Sequence, residues 1–426
     1  MQALLEDFTE TQIERSRRRK RAVLPLRLAS GALSLAGICV LGFTRLGADL
    51  IHAAGSPAGN GWAATAVLGA IALDLVLTLL GLPLAARMEV VDRDWGLSNR
   101  SWRLFWADTA KGFAIGAIML GAVSLGLFAL IRTLPGTWWI PAALAAAALA
   151  FVLSFLVPVV FEPLFNRFEP MAAGPLRERL LELAGRTEVS VRDILVSDAS
   201  RRTNSMNAYV SGMGRTRRIV VWDTTVGQAD PDQIAAISAH ELGHAARRDV
   251  VTGTAAGALG MVAATLLLAA SLHWRALLDT AGTPAAGDPR SLALILAIGT
   301  VLGALGAPLF NAYSRRIEAR ADQYALDLTR DPTAVVATWR NLAVRGISDL
   351  EPNPLNHAWF GTHPTIPARI GHARGWAARH GVPVTLPAPG AAAQSDDTAQ
   401  PGNAAQPSNT TQQPDASEAT GGTDGR

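Results

Sequence analysis

His240, Glu241 and His244 stand in the order His-Glu-Leu-Gly-His. On an α-helix, positions i and i+4 lie one above the other on the same face. Both imidazoles can therefore offer a ring nitrogen to one metal ion. Glu241 falls beside that face, where its carboxylate can reach a water held by the metal. This is the arrangement of zinc hydrolases. With the His and acidic frequencies of this chain, a chance match is at most about 1%. The bland alternative is an ordinary helical turn carrying two histidines.

The surrounding residues position the pair. Asp230-Pro231-Asp232-Gln233 reads as a helix start. Asp230 is the N-cap, Pro231 the first helical residue and Gln233 the capping-box partner. The run 234–239 is apolar, so the histidines emerge from a buried helix. Gly243 keeps the helix surface open between them, at about 1 kcal/mol of helix propensity against Ala.

A catalytic zinc takes three protein ligands, so one is still missing. Cys39 is the only cysteine, which excludes an internal disulfide framework and a Cys-based zinc site. The ligands must be His and carboxylate. The segment 315–322 offers Glu318, with Asp322 four residues on and on the same face. One carboxylate could bind metal while the other hydrogen-bonds a ligand histidine. The alternative is a solvated helix whose arginines pair with its acids; what decides between them is where the chain places this helix.

That placement follows from the membrane pattern. The 426 residues are 49% hydrophobic and 17% charged, below the roughly 25% charge of soluble domains. Six apolar runs, 28–43, 62–86, 113–131, 138–160, 251–273 and 291–313, are each near the ~20 residues that a bilayer needs. The basic run Arg15 to Arg21 precedes the first, which has no clear cleavage site and reads as a retained helix. Arg87, Arg93, Arg100, Arg103 and Lys111 fill one connection, and 161–250 and 314–426 are also arginine-rich. The opposite connections hold only Arg45, Arg132, Arg275 and Arg290. The positive-inside rule then selects one topology, with the His240 helix and everything past Tyr313 in the cytoplasm. Low aromatic content, and arginines beside apolar spans, argue against nucleic acid.

The expected fold is mainly α: a polytopic membrane helical protein of six spans with a small α+β zincin-like cytoplasmic domain. Residues 1–27 form a basic cytoplasmic N-terminus and 28–160 a four-helix membrane domain. Residues 161–386 form the metallopeptidase domain, including the last two spans, and 387–426 a disordered tail. Within it, 161–170 reads as a turn-rich exit from the membrane. Residues 189–196, 206–210 and 218–222 read as strands. Asp74, inside the second span, is a costly intramembrane acid. A functional role and a carboxylate facing water or pairing with an arginine weigh evenly.

The chain resembles the type I CAAX prenyl protease family, integral-membrane zinc endopeptidases of the gluzincin kind. The matching segments are, in order, Pro163 to Phe168, Ser200-Arg201-Arg202, Asn207-Ala208-Tyr209, Arg218 to Val221 with Asp223-Thr224, His240 to His244, Glu318 to Asp322, and His363-Pro364 with Arg369. The resemblance spans about residues 60–375. It implies that His240, His244 and Glu318 bind one zinc ion per chain, with Asp322 behind them and Glu241 as general base. It implies that Asn207, Ala208 and Tyr209 line an edge strand that pairs with substrate. His363 and Arg369 would stabilise the oxyanion or hold the peptide. Two departures stand out: six spans where eukaryotic members have seven around a large chamber, and Asp249 where several of those carry a further histidine. The change at Asp249 carries no evident consequence for the metal.

The function expected is hydrolysis of membrane-associated or lipidated peptides and proteins by a zinc-activated water, facing the cytoplasm. Lys is scarce while Arg, Ala and Gly abound, a bias associated with high-GC bacterial coding, so the expected location is a bacterial plasma membrane. The rival readings are a heat-shock-type membrane zinc protease for quality control and, from another class, an inactive membrane scaffold or transporter.

Overall fold

The structure is a computed structural model that describes residues 5–212, 214–387 and 389. The tail expected from 387 onward lies outside the described residues, apart from Pro387 and Pro389.

Six helices are long and apolar enough to cross a membrane, as the apolar runs predict. The first is α1 (Glu10–Phe43), followed by the short α2 (Arg45–Gly55) and then α3 (Trp62–Asp94), α4 (Trp102–Thr133) and α5 (Trp139–Leu156). A π-helical stretch extends α5 through Val157–Phe161 into α6 (Glu162–Phe165). The fifth and sixth spans are α10 (Asp249–Leu272) and α12 (Leu292–Thr329), joined through α11 (Arg275–Thr280). Ile51, Leu73, Phe128, Leu292 and Leu294 pack into one core among these helices.

The basic run near the N-terminus is helical and already part of α1. Arg17 pairs with Glu351 at 2.8 Å, Arg19 with Asp92 at 3.0 Å and Lys20 with Asp349 at 2.9 Å. Phe8 and Ile13 sit in a core with Val336 and Trp376. These charges therefore also dock the start of α1 onto the last third of the chain and onto the end of α3.

The segment between the fourth and fifth spans holds a four-stranded sheet. It comprises β1 (Phe168–Pro170), α7 (Pro175–Gly185), β2 (Asp193–Ser197), β3 (Ala208–Ser211), β4 (Arg218–Trp222), α8 (Asp223–Gln228) and α9 (Pro231–Ala246). The strand order is β1-β2-β4-β3, with β2 and β4 parallel and the two outer pairs antiparallel. Two strands begin later than the sequence predicts, at Asp193 and Ala208. β1 falls inside the segment expected to be only a turn-rich exit. It carries Pro170 at an edge, where a missing N–H costs no ladder bond.

Helix α9 begins at Pro231 with Asp230 as N-cap. The expected capping box is absent: the Asp230 side chain makes no cap hydrogen bond. Gln233 instead accepts from Asn341 Nδ2 at 2.8 Å. Helix α9 is held by burial. Ile234, Ala239 and Leu242 share a core with Ile194, Ile219 and Val221 of the sheet.

At 1.5 Å per residue, the 38 residues of α12 extend roughly 57 Å, beyond the ~30 Å of a bilayer core. The surplus turns project past the membrane and pack on α9. Helices α13 (Pro332–Arg345), α14 (Pro354–Phe360) and α15 (Ile366–His380) complete the domain.

Candidate metal centre

α9 and α12 cross at Gly243. A Cβ there would lie 3.1 Å from the Cβ and ring of Tyr324 on α12. The glycine lets the two helices approach until three donors converge. His240 Nε2 and His244 Nε2 are 3.2 Å apart. Glu318 Oε2 lies 3.2 Å from the first, and Glu318 Oε1 lies 3.5 Å from the second. Among the described residues this His-His-Glu cluster is the group placed to hold a metal.

Two further carboxylates fix the rings. Asp322 Oδ1 is 3.0 Å from His240 Nδ1, and Asp249 Oδ2 is 2.9 Å from His244 Nδ1. An ionised carboxylate can only accept, so each Nδ1 carries the hydrogen. When the rings are neutral, both Nε2 atoms then present lone pairs to each other and to Glu318. Three electron-rich groups face one point, a convergence that favours a cation between them, with the Arg369 guanidinium no nearer to Glu318 Oε2 than 3.8 Å. Glu318 Oε2 is also buried without a hydrogen-bond partner. The residues present therefore fit a divalent metal, and His₂Glu is a donor set found in catalytic metal sites.

The electrostatics agree. Burial opposes a charged His240 ring, yet the Asp322 and Glu318 carboxylates beside it outweigh that and raise its pKa to about 9. In the metal-free chain, a proton supplies the positive charge that the site demands. Burial pushes the Glu241 carboxyl above its usual range, with the two imidazoles pulling the other way. A raised pKa makes it a better proton acceptor once ionised.

Of the other expected site residues, His363 reaches the cluster, with Nε2 3.3 Å from Glu318 Oε1. Its side chain is 56% exposed, so it faces open space beside the metal donors. Arg369 also reaches the cluster, with Nη2 3.4 Å from His240 Nε2 and 3.8 Å from Glu318 Oε2. It is buried, holds Asp322 through contacts of 2.5 and 2.8 Å, and stacks 3.5 Å over the Trp339 ring. It supports the carboxylate that supports His240.

Ala208 and Tyr209 begin β3, an outer strand of the sheet that packs on α9, and Asn207 immediately precedes it. Trp222 N–H donates to the Asn207 carbonyl at 3.0 Å, which makes 207 and 222 a hydrogen-bonded pair. Tyr209 then also turns its main-chain groups to β4, while Ala208 and Val210 turn theirs outward. The Tyr209 hydroxyl donates to Glu162 at 3.1 Å. Burial and that carboxylate raise the Tyr209 pKa.

The Ser200-Arg201-Arg202 segment ties the domain to the membrane helices. Arg202 makes a bidentate pair with Asp108 of α4 at 3.0 and 3.1 Å, and Ser200 N–H donates to Asp223 at 2.9 Å. Asp74 lies inside the membrane bundle, with Oδ2 buried and without a hydrogen-bond partner among the described residues.

Asp249, to which the sequence attached no consequence for the metal, orients a metal-site histidine. Arg320 Nη2 holds its other oxygen at 3.3 Å. A clue was present: an acid five residues past His244, in the first turn of the next helix. The helix break at Arg248, in the left-handed region (φ 57°), hides it from any i,i+4 rule.

Residues 170–377 match the model of peptidase family M48. Residues 2–167 match that of the CAAX prenyl protease N-terminal region, described as five membrane helices. That region holds α1 to α5 here, of which α2 is 11 residues, too short to cross. The chain is 34% identical over 304 residues, 71% of each protein, to YhfN of Bacillus subtilis (strain 168), an uncharacterized metalloprotease. It is 27% identical over 319 residues to CAAX prenyl protease 1 of Saccharomyces cerevisiae, covering 70% of this chain and 69% of that protein. It shares the fold of the crystal structure of S. mikatae Ste24p, with a TM-score of 0.77, 23% identity, and 87% of this chain and 90% of that one covered. With membrane-spanning helices, a metal-donor cluster and these matches, the chain belongs to peptidase family M48 and is an integral-membrane metalloprotease.

Proposed function

We propose that the chain is a zinc-dependent endopeptidase of a bacterial plasma membrane that cleaves lipidated or otherwise membrane-anchored peptides at the cytoplasmic face. The observation that carries this reading is Asp249. It holds the metal-site His244 and is also the first residue of the membrane-spanning helix α10. The donors therefore stand at the membrane boundary, where a substrate anchored in the bilayer presents its polar end. The uneven arginine distribution supports a cytoplasm-facing site.

His240, His244 and Glu318 would hold the zinc, one per chain. When bound, zinc supplies Lewis acidity toward the scissile carbonyl and makes a water nucleophilic near neutral pH. Glu241 accepts the proton of the attacking water and passes it to the leaving amine. His363, open beside the donors, is placed to hydrogen-bond the oxyanion. Arg369 keeps Asp322, and through it His240, in position. The outward N–H and C=O groups of Ala208 and Val210 hold the substrate as an added strand.

The N-terminal match over residues 2–167 favours the CAAX-type reading over a heat-shock-type quality-control protease. An inactive scaffold or transporter has no use for two imidazole nitrogens converging on one buried carboxylate. The deciding experiment uses Glu241→Gln in reconstituted vesicles. The variant retains stoichiometric zinc and does not cleave a lipidated peptide that the parent cleaves. A zinc-loaded, active Glu241→Gln enzyme overturns the reading. Equal cleavage of lipidated and unanchored peptides shifts it to quality control.

A further inference from the structure

We infer that Trp359 is a positioning residue that sets His363 against the metal site by capping a carbonyl that Pro308 strands within α12; this rests on the protease reading above. Pro308 lies inside the spanning helix and has no N–H. The Ala304 carbonyl, four residues before it, therefore has no partner within the helix. In a membrane, such a group must find a donor elsewhere. Trp359 Nε1 donates to it at 2.9 Å.

This bond belongs to a row along one face of α12. Asn311 Nδ2 donates to the Trp359 carbonyl at 2.5 Å. Arg315 Nη1 donates to the Gly361 carbonyl at 2.6 Å and reaches that of His357 at 3.3 Å. Residues 304, 311, 315 and 318 follow steps of seven, four and three, so they share a face with Glu318. The row ends where His363 Nε2 meets Glu318 Oε1 at 3.3 Å. Gly361 allows the turn between them, since a Cβ there would lie 2.3 Å from His357 Nδ1.

Apolar burial does not hold α14 in place. None of its residues is buried, and Trp359 itself is 42% exposed. Its attachment to α12 is the row of hydrogen bonds, and the indole makes the one deepest in the span. Without that donor, α14 loosens and His363 loses its fixed distance to the metal donors.

The test uses the full chain in lipid vesicles with Trp359→Phe, which keeps an aromatic ring and removes the donor. By hydrogen exchange, residues 354–365 should exchange roughly fivefold faster or more, with residues 231–246 and the metal content unchanged. With a membrane-anchored peptide, Trp359→Phe and His363→Ala should each lower kcat by roughly 10- to 100-fold with little change in KM. The double variant should be no slower than His363→Ala alone. Unchanged exchange in 354–365, a double variant slowed by the product of the single effects, or lost metal would each overturn the inference. If the parent chain cleaves nothing, the protease reading fails while the exchange measurement still decides whether Trp359 fixes α14 on α12.

Discussion

Asp249 Oδ2 stands 2.9 Å from His244 Nδ1, on the side of the ring away from Glu318. Asp322 holds His240 in the same way at 3.0 Å. Each ring thus carries a hydrogen on Nδ1 and aims Nε2 at a common point. The two supports differ in what else they hold. Asp249 opens α10 and pairs with Arg320, whose side chain is half exposed. Asp322 holds the buried Arg369.

Asp249→Ala should therefore act on the metal more than on the fold. Loss of a carboxylate behind a ligand histidine lowers metal affinity by roughly 10- to 100-fold. The freed Arg320 can turn to water at little cost. Asp322→Ala should lower affinity too, and also destabilise by about 3 kcal/mol, because the buried Arg369 loses its close partner and keeps only the 3.8 Å contact to Glu318. Chelator competition and thermal unfolding of both variants check this. Equal losses of stability would refute the asymmetry.

Gly243→Val should separate the crossing helices. The added methyls meet Tyr324, already 3.1 Å from the position of a Cβ. Overpacking of this kind costs about 1–3 kcal/mol. Because α9 carries two donors and α12 the third, metal affinity should fall alongside stability. Gly243→Ala asks Tyr324 to give by only a few tenths of an ångström and should be milder. A Gly243→Val chain with parental melting and metal binding would show that the crossing is not tight.

The parts of this molecule that were legible in sequence are those set by local period or by length. His240 and His244 are readable because a helix repeats at i+4, and six spans because a bilayer demands about 20 apolar residues each. Glu318 lies 74 residues past His244 and becomes readable only once topology returns the chain to the same side. Asp249 is not readable, since its approach to His244 depends on a left-handed residue at Arg248. The pairing of β1 is equally hidden: Phe168–Pro170 becomes a strand by lying beside β2, about 25 residues away. The Asp230 cap looked complete, yet tertiary contacts through Asn341 claimed Gln233. The Trp359–Ala304 bond needs both the proline and a helix more than 40 residues later, and no local pattern links them.

If substrate adds as a strand to β3, its main-chain groups should matter more than its side chains. Replacing one substrate amide with an ester removes a donor to the outward carbonyls of Ala208 or Val210. A net hydrogen bond is worth about 1 kcal/mol, so kcat/KM should fall roughly fivefold at alternate positions and little between them. A set of single-ester peptides measures this. A flat profile along the peptide would remove strand addition.

Metal uptake should depend on pH in a direction fixed by His240. In the metal-free chain this ring holds its proton up to about pH 9, against burial, because Asp322 and Glu318 stabilise the charge. Metal needs the Nε2 lone pair and must displace that proton whenever the pH is below 9. Apparent affinity should thus climb about tenfold per pH unit from 7 toward 9 and level off above it. Each ion bound at pH 7 should release about one proton from this ring, measurable by titration in buffers of different ionisation heat. Replacing Asp322 with Asn removes one of the charges that hold the proton, so the plateau should begin at lower pH. Affinity that is flat between pH 7 and 9 would mean that the ring is neutral before metal arrives.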